Sequence, residues 1–200
     1  MEPIPEQHTG NQTDIRQTLD ASTPRQAHSN FVEASRRLLD VNNWHDLAGT
    51  PSASFQLTDK NGMKLDRLAK VGDYIRIDIP GPGLATGHGY DWVIVESVED
   101  KPNPGSDHEY LVMNVRPAPS PVNDETDVAH FFDDRATSSF MVERKDLQVS
   151  ASEHGRNEHP NTHVDRATDK IRNALVAGAA TSGVSGIQWN LLMKGILKDL

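Results

Sequence analysis

The chain contains no cysteine. That removes disulfide frameworks, thiolate zinc sites and cysteine nucleophiles together, and it suits a soluble protein of the reducing cytoplasm. Aromatic residues make up only 6% of the 200 residues and the hydrophobic fraction is 36%, so part of the chain is expected not to pack. Positive charge is also short: 20 Lys and Arg face 29 Asp and Glu, a formal charge of -9. A phosphate backbone is repelled by that balance unless basic residues gather on one face, and Arg36-Arg37 and Arg144-Lys145 are isolated pairs. No nucleic-acid partner is expected. Met1 to Glu6 has neither the basic start nor the apolar run of a secretory signal.

Residues 1–28 carry no aromatic side chain and are dominated by Pro, Gln, Thr and Ser. Such a stretch buries too little surface to offset the entropy of ordering, so it is expected to be a disordered N-terminal tail. A single α+β domain is expected over residues 29–200. It opens with one helix, Asn30 to Val41, in which Phe31, Ala34, Leu38 and Val41 fall at helical spacing behind a Ser29 or Asn30 cap.

Strands follow. Ala53, Phe55 and Leu57 alternate with polar residues, and Asp59-Lys60-Asn61-Gly62 reads as a hairpin turn into Met63 and Leu65. Ile75, Ile77 and Ile79 line one face of the clearest strand, Asp73 to Pro80. Tyr90 to Val98 and Glu109 to Arg116 are apolar on both faces, which places them centrally. Ser138 to Arg144 and Leu147 to Ser152 form a hairpin turning at Lys145-Asp146. A helix capped by Asn161 or Thr162 is expected to carry Val164, Ala167, Ile171, Ala174 and Leu175 on one face. Ile187 to Leu197 is apolar on nearly all sides, which implies deep burial or a partner. The expected fold class is α+β: an antiparallel sheet or open barrel of about seven strands, preceded by one helix and covered by C-terminal helices.

No reaction is dictated by a motif. The glycine-rich run Pro80 to Gly89 lacks the G-K-[ST] of a phosphate loop, and Gly183-Val184-Ser185-Gly186 lacks the register of a nucleophile elbow. The acids Asp124, Glu125, Asp127, Asp133 and Asp134 around His130 lack the calcium-loop register and read as a solvated loop. The segment Glu153 to His163 concentrates polar groups ahead of the C-terminal helices. His154, Arg156, Asn157, Glu158 and His159 are its candidate ligand-binding residues, with a hydrogen-bonded connector as the plainer reading. A metal held by its histidines has no known ligand spacing to support it, so neither metal nor cofactor is expected.

The C-terminal run Ala174 to Ile196 contains one charged residue, Lys194, but its glycines and polar residues break it below the roughly 20 apolar residues of a membrane span. No membrane partner is expected. Instead a protein partner, or self-association through the C-terminal helix, leads to the first functional expectation: a non-catalytic binding or assembly protein. The alternative is a small-molecule ligand-binding protein or enzyme, with a polar His/Arg/Glu site between the sheet and the C-terminal helices. Whether the chain is an enzyme is left undecided.

Overall fold

The fold is a computed structural model describing residues 3–49, 53–79, 86–124, 126–162, 169, 173, 176 and 184–200. Seven antiparallel strands form one sheet: β1 (Asn11–Asp20), β2 (Ser54–Thr58), β3 (Tyr74–Asp78), β4 (Asp91–Lys101), β5 (His108–Pro117), β6 (Thr137–Lys145) and β7 (Gln148–Glu158). Their order is β1-β7-β6-β5-β4-β3-β2, so among the described residues β1 and β2 are the edges and the sheet is open. Between them in sequence run α1 (Pro24–Leu39), a single 3-10 turn (Val41–Asn43) and α2 (Trp44–Ala48); α3 (Val184–Leu197) lies near the C-terminus. The α+β class expected from sequence is the class observed.

The N-terminal tail is corrected. Asn11–Asp20 is an edge strand whose partners on β7 run from Gln148 to Glu158, not a disordered segment. It is held by backbone hydrogen bonds and by only two apolar side chains, Ile15 and Leu19, which pack against the core. α1 then begins at Pro24, six residues earlier than the apolar periodicity, because Thr23 caps it by accepting a hydrogen bond from the Gln26 amide and Pro24 pre-sets the first turn. The expected strand at Met63 to Leu65 reduces to a single bridge, Thr58 to Lys64. β4 and β5 do lie in the middle of the sheet, as their two apolar faces require.

One side of the sheet carries the helices. Leu111, Met113, Val115, Phe140, Val142, Val149 and Ala151 project there and meet Phe31, Ala34 and Leu38 of α1 and Leu192, Met193 and Ile196 of α3. Gly195 allows α3 to lie directly on α2: a side-chain carbon at that position would strike the Leu47 carbonyl. Arg37 closes the same corner by donating to the Ile196 and Lys198 carbonyls at 3.1 and 2.7 Å, satisfying acceptors that a helix end leaves open. Thus the basic pair at Arg36-Arg37 serves the fold: Arg36 pairs with Glu33 while Arg37 caps α3. No helix among the described residues is long and apolar enough to cross a membrane. The expected helical face of Val164, Ala167, Ile171, Ala174 and Leu175, and the run Pro80 to Ala85, lie outside the described residues.

Candidate functional site

A cavity of about 270 Å³ lies between the sheet and α3. Its walls are mostly hydrocarbon and aromatic. Ile75, Ile77 and Val93 come from β3 and β4, Val115 and Phe140 from β5 and β6, and Trp44 and Trp189 from α2 and α3. The rings form one cluster: Phe140 lies 4.7 Å from Trp44 and 5.2 Å from Trp189 between ring centres, and Phe55 lies 5.3 Å from Trp44. Four described polar residues also reach the cavity, namely His130, Ser138, Glu158 and Gln188.

Glu158 arrives there through an irregularity in the edge pairing. Thr13 faces Gly155 and Asn11 faces Glu158, so one residue of β1 spans two of β7, a β-bulge. Strict alternation from Glu153 and Gly155 would turn Asn157 toward the helices and Glu158 away. The extra residue reverses this, with Asn157 in the left-handed region at φ 55°, a conformation that Asn tolerates better than most residues. Glu158 now occupies the space beside the side-chain-free Gly155, where Thr13 donates its hydroxyl to the carboxyl at 3.4 Å.

Glu153 sits two residues before Gly155, opposite Phe140 on β6 and Ile15 on β1, with 1% of its surface exposed. One of its carboxyl oxygens, Oε2, has no hydrogen-bond partner among the described residues. Burial drives its carboxyl well above the ordinary 4.5, with the neighbouring Glu158 and Asp14 acting in the same sense and Arg156 and Ser138 against it. Burial likewise raises Glu158, opposed by the Thr13 hydroxyl and by Arg156.

A folded-state value above the unfolded one means the native protein holds the proton more tightly. Stability from Glu153 is therefore complete below the ordinary carboxylate range and is lost as pH rises through the elevated folded value. Glu153→Gln is expected to flatten that decline, raising the urea midpoint more at about pH 8 than at about pH 5. An equal shift at both pH values would refute an ionising Glu153.

The other polar residues of the Glu153 to His163 segment do different work. His154 and Arg156 lie on the opposite side of β7, where both contact Asp14, at 2.6 and 2.7 Å. Asn157 accepts from the amides of His8 and Thr9 and donates to the Glu6 carbonyl, holding the segment before β1. His159 Nε2 lies 3.0 Å from the Thr9 hydroxyl. Of the five candidates, Glu158 alone enters the cavity wall as described; the other four fasten residues 6–14 to the edge of the sheet. His163 lies outside the described residues.

His130 is a cavity residue, although its sequence neighbourhood reads as a solvated acidic loop. In the structure that loop folds across the sheet end: the Trp92 amide donates to the Ala129 carbonyl at 2.7 Å, and Asn161 donates to the carbonyls of Val128 and His130. The His130 ring stacks on Phe131 at 4.2 Å, and its Nδ1 accepts from the Phe132 amide at 3.0 Å, which places the proton of the neutral ring on Nε2. Ser138 and Gln188 carry no local sequence signal; only strand register and helix rotation aim them inward. Among the described residues, no group of three metal-ligating side chains gathers.

No family model and no curated protein matches the chain. Solved structures similar to it include XoxI from Bacillus cereus, 12% identical over 94% of this chain and 96% of that one, with a TM-score of 0.38. Norcoclaurine synthase from Thalictrum flavum, solved in complex with two small molecules, is 10% identical over 95% and 89%, with a TM-score of 0.39. A Staphylococcus epidermidis protein solved in solution is 15% identical over 96% and 93%, with a TM-score of 0.44. The expectation of a non-catalytic binding or assembly protein acting through its C-terminal helix is overturned. Leu192, Met193 and Ile196 of that helix are spent in the core, while Gln188 and Trp189 wall a cavity that fits the small-molecule alternative.

Proposed function

We propose that the chain binds a compact, largely apolar small molecule in the cavity between the sheet and α3, with Glu158 as the polar anchor. The observation that carries this reading is the cavity wall itself, in which a cluster of aromatic and branched side chains encloses a few convergent polar groups. An apolar cavity of about 270 Å³ offers a small molecule hydrocarbon and aromatic surface to bury, which is the favourable term in such binding. Its volume lies just below the roughly 300 Å³ at which drug-sized sites begin, which favours a small ligand. His130, Ser138 and Gln188 add hydrogen-bonding capacity around Glu158, and the cysteine-free composition supports action in a reducing compartment.

Trp44 and Trp189 make the cavity observable by fluorescence. Titration with phenylbutanol, a neutral apolar probe, is expected to change their emission with one site per chain. Val115→Phe, which fills the cavity, is expected to weaken the probe by about tenfold or more while leaving the far-ultraviolet dichroism intact, since filling the site removes its apolar contact area. Failure of both phenylbutanol and its amine counterpart to bind, or equal binding to the filled variant, would overturn the proposal.

A further inference from the structure

The polar end of the cavity has an unbalanced charge inventory. Glu158 enters it and Glu153 lies directly behind, opposite the cavity ring of Phe140. No Lys or Arg stands among the described lining residues. The nearest guanidinium, Arg156, is on the other side of β7, engaged with Asp14 and the Thr13 carbonyl. His130 directs its Nδ1 to a backbone amide, as an acceptor. The carboxyl of Glu158 therefore stands in a mostly apolar wall without a cation among the described residues, and behind it the buried Glu153 leaves its Oε2 without a hydrogen-bond partner there. Buried acids are ordinarily paired, so the deficit points to something supplied from outside.

Aromatic faces beside these acids narrow the choice. The negative face of an indole or phenyl ring attracts an organic cation, most strongly where water is excluded. A hydrocarbon would fill the same space without using the carboxyls, a neutral alcohol would engage Glu158 through a hydrogen bond but leave its charge unbalanced, and an anion would be repelled. We propose that the cavity takes a protonated amine, its ammonium nitrogen against the carboxyl of Glu158, with the buried Glu153 adding negative charge behind it, and its apolar body among Trp44, Phe140 and Trp189. This inference rests on the ligand-cavity reading and specifies the chemical class.

The test compares phenylbutylamine with phenylbutanol, which differ in the cationic head alone, by calorimetric titration of the full chain and of Glu158→Gln and Glu153→Gln. The amine is expected to bind the unaltered chain at least about tenfold more tightly than the alcohol, as a desolvated cation gains both ring and charge-assisted contacts. That preference should collapse toward parity in Glu158→Gln and shrink in Glu153→Gln. Alcohol binding as tight as amine binding to the unaltered chain would overturn the amine assignment and leave the cavity reading standing. The amine assignment falls equally if the preference survives intact in whichever of the two variants folds. Binding of neither probe would remove both readings.

Discussion

Arg144→Ala is expected to destabilise the fold by about 3–5 kcal/mol, as for other buried charge pairs that lose one partner. Arg144 and Glu109 are register partners on β6 and β5, with side chains 3% and 0% exposed. Both point to the helix-covered side, where His28 of α1 also reaches Glu109, at 2.9 Å, and the Asn103 amide donates to it at 2.8 Å. Truncating the arginine leaves a carboxylate that is inaccessible to water and only partly compensated by the imidazole. Burial alone would raise the Glu109 carboxyl, but hydrogen bonds from His28 and Arg144 outweigh it and hold the group below its ordinary value. This pair's stabilisation is therefore present above the ordinary carboxylate range and is lost as pH falls through the lowered folded value. Urea unfolding at neutral pH checks the magnitude; a loss below about 1 kcal/mol would show that the pair is dispensable. Replacing both partners, Glu109→Leu with Arg144→Met, is expected to recover most of the loss because no charge remains buried.

Trp44→Ala is expected to cost a similar amount, about 3–5 kcal/mol, through lost burial and the void left behind. The indole is 1% exposed, donates from Nε1 to the Leu38 carbonyl at 3.0 Å, and contacts the rings of Phe55, Phe140 and Trp189. At roughly 2–4 °C per kcal/mol for a chain of this size, the melting temperature should fall by on the order of 10 °C. Because the lost ring is part of the cavity wall, the space it vacates joins the ligand cavity. An apolar probe that stabilises by binding the native state should therefore raise the melting temperature of Trp44→Ala when present in excess. A change of less than about 1 kcal/mol would mean that neighbouring side chains collapse into the space, closing the cavity proposed as the ligand site.

The legibility of this chain differs by element for identifiable reasons. β3 announces itself through Ile75, Ile77 and Ile79, since a half-buried strand repeats every two residues. β4 and β5 are readable as central from apolar residues on both faces. β1 is hidden: an edge strand packed through Ile15 and Leu19 alone leaves a polar sequence, and its stability comes from pairing with residues 128 to 147 positions away. The first turn of α1 is hidden for a related reason, because its helical state depends on Thr23 and Pro24 and not on apolar periodicity. The polar segment Glu153 to His163 stands out by composition. Its division into one cavity residue and four edge fasteners is not visible there, because a bulge of one residue decides which side Glu158 faces.

The sequence by itself determined the α+β class, the strands β2 to β7 and the apolar character of the last helix. Each depends on local periodicity, and the chain carries periodicity within itself. Tertiary structure decided what that buried helix is for. An apolar surface is equally compatible with a partner and with a cavity, and only the packing of α3 over the sheet distinguishes them. It also set Glu158 in one cavity wall with aromatic rings contributed by α2, β2, β6 and α3, from positions 44 to 189. A carboxyl group acquires its chemistry from its surroundings, and those surroundings exist only once the distant segments have met.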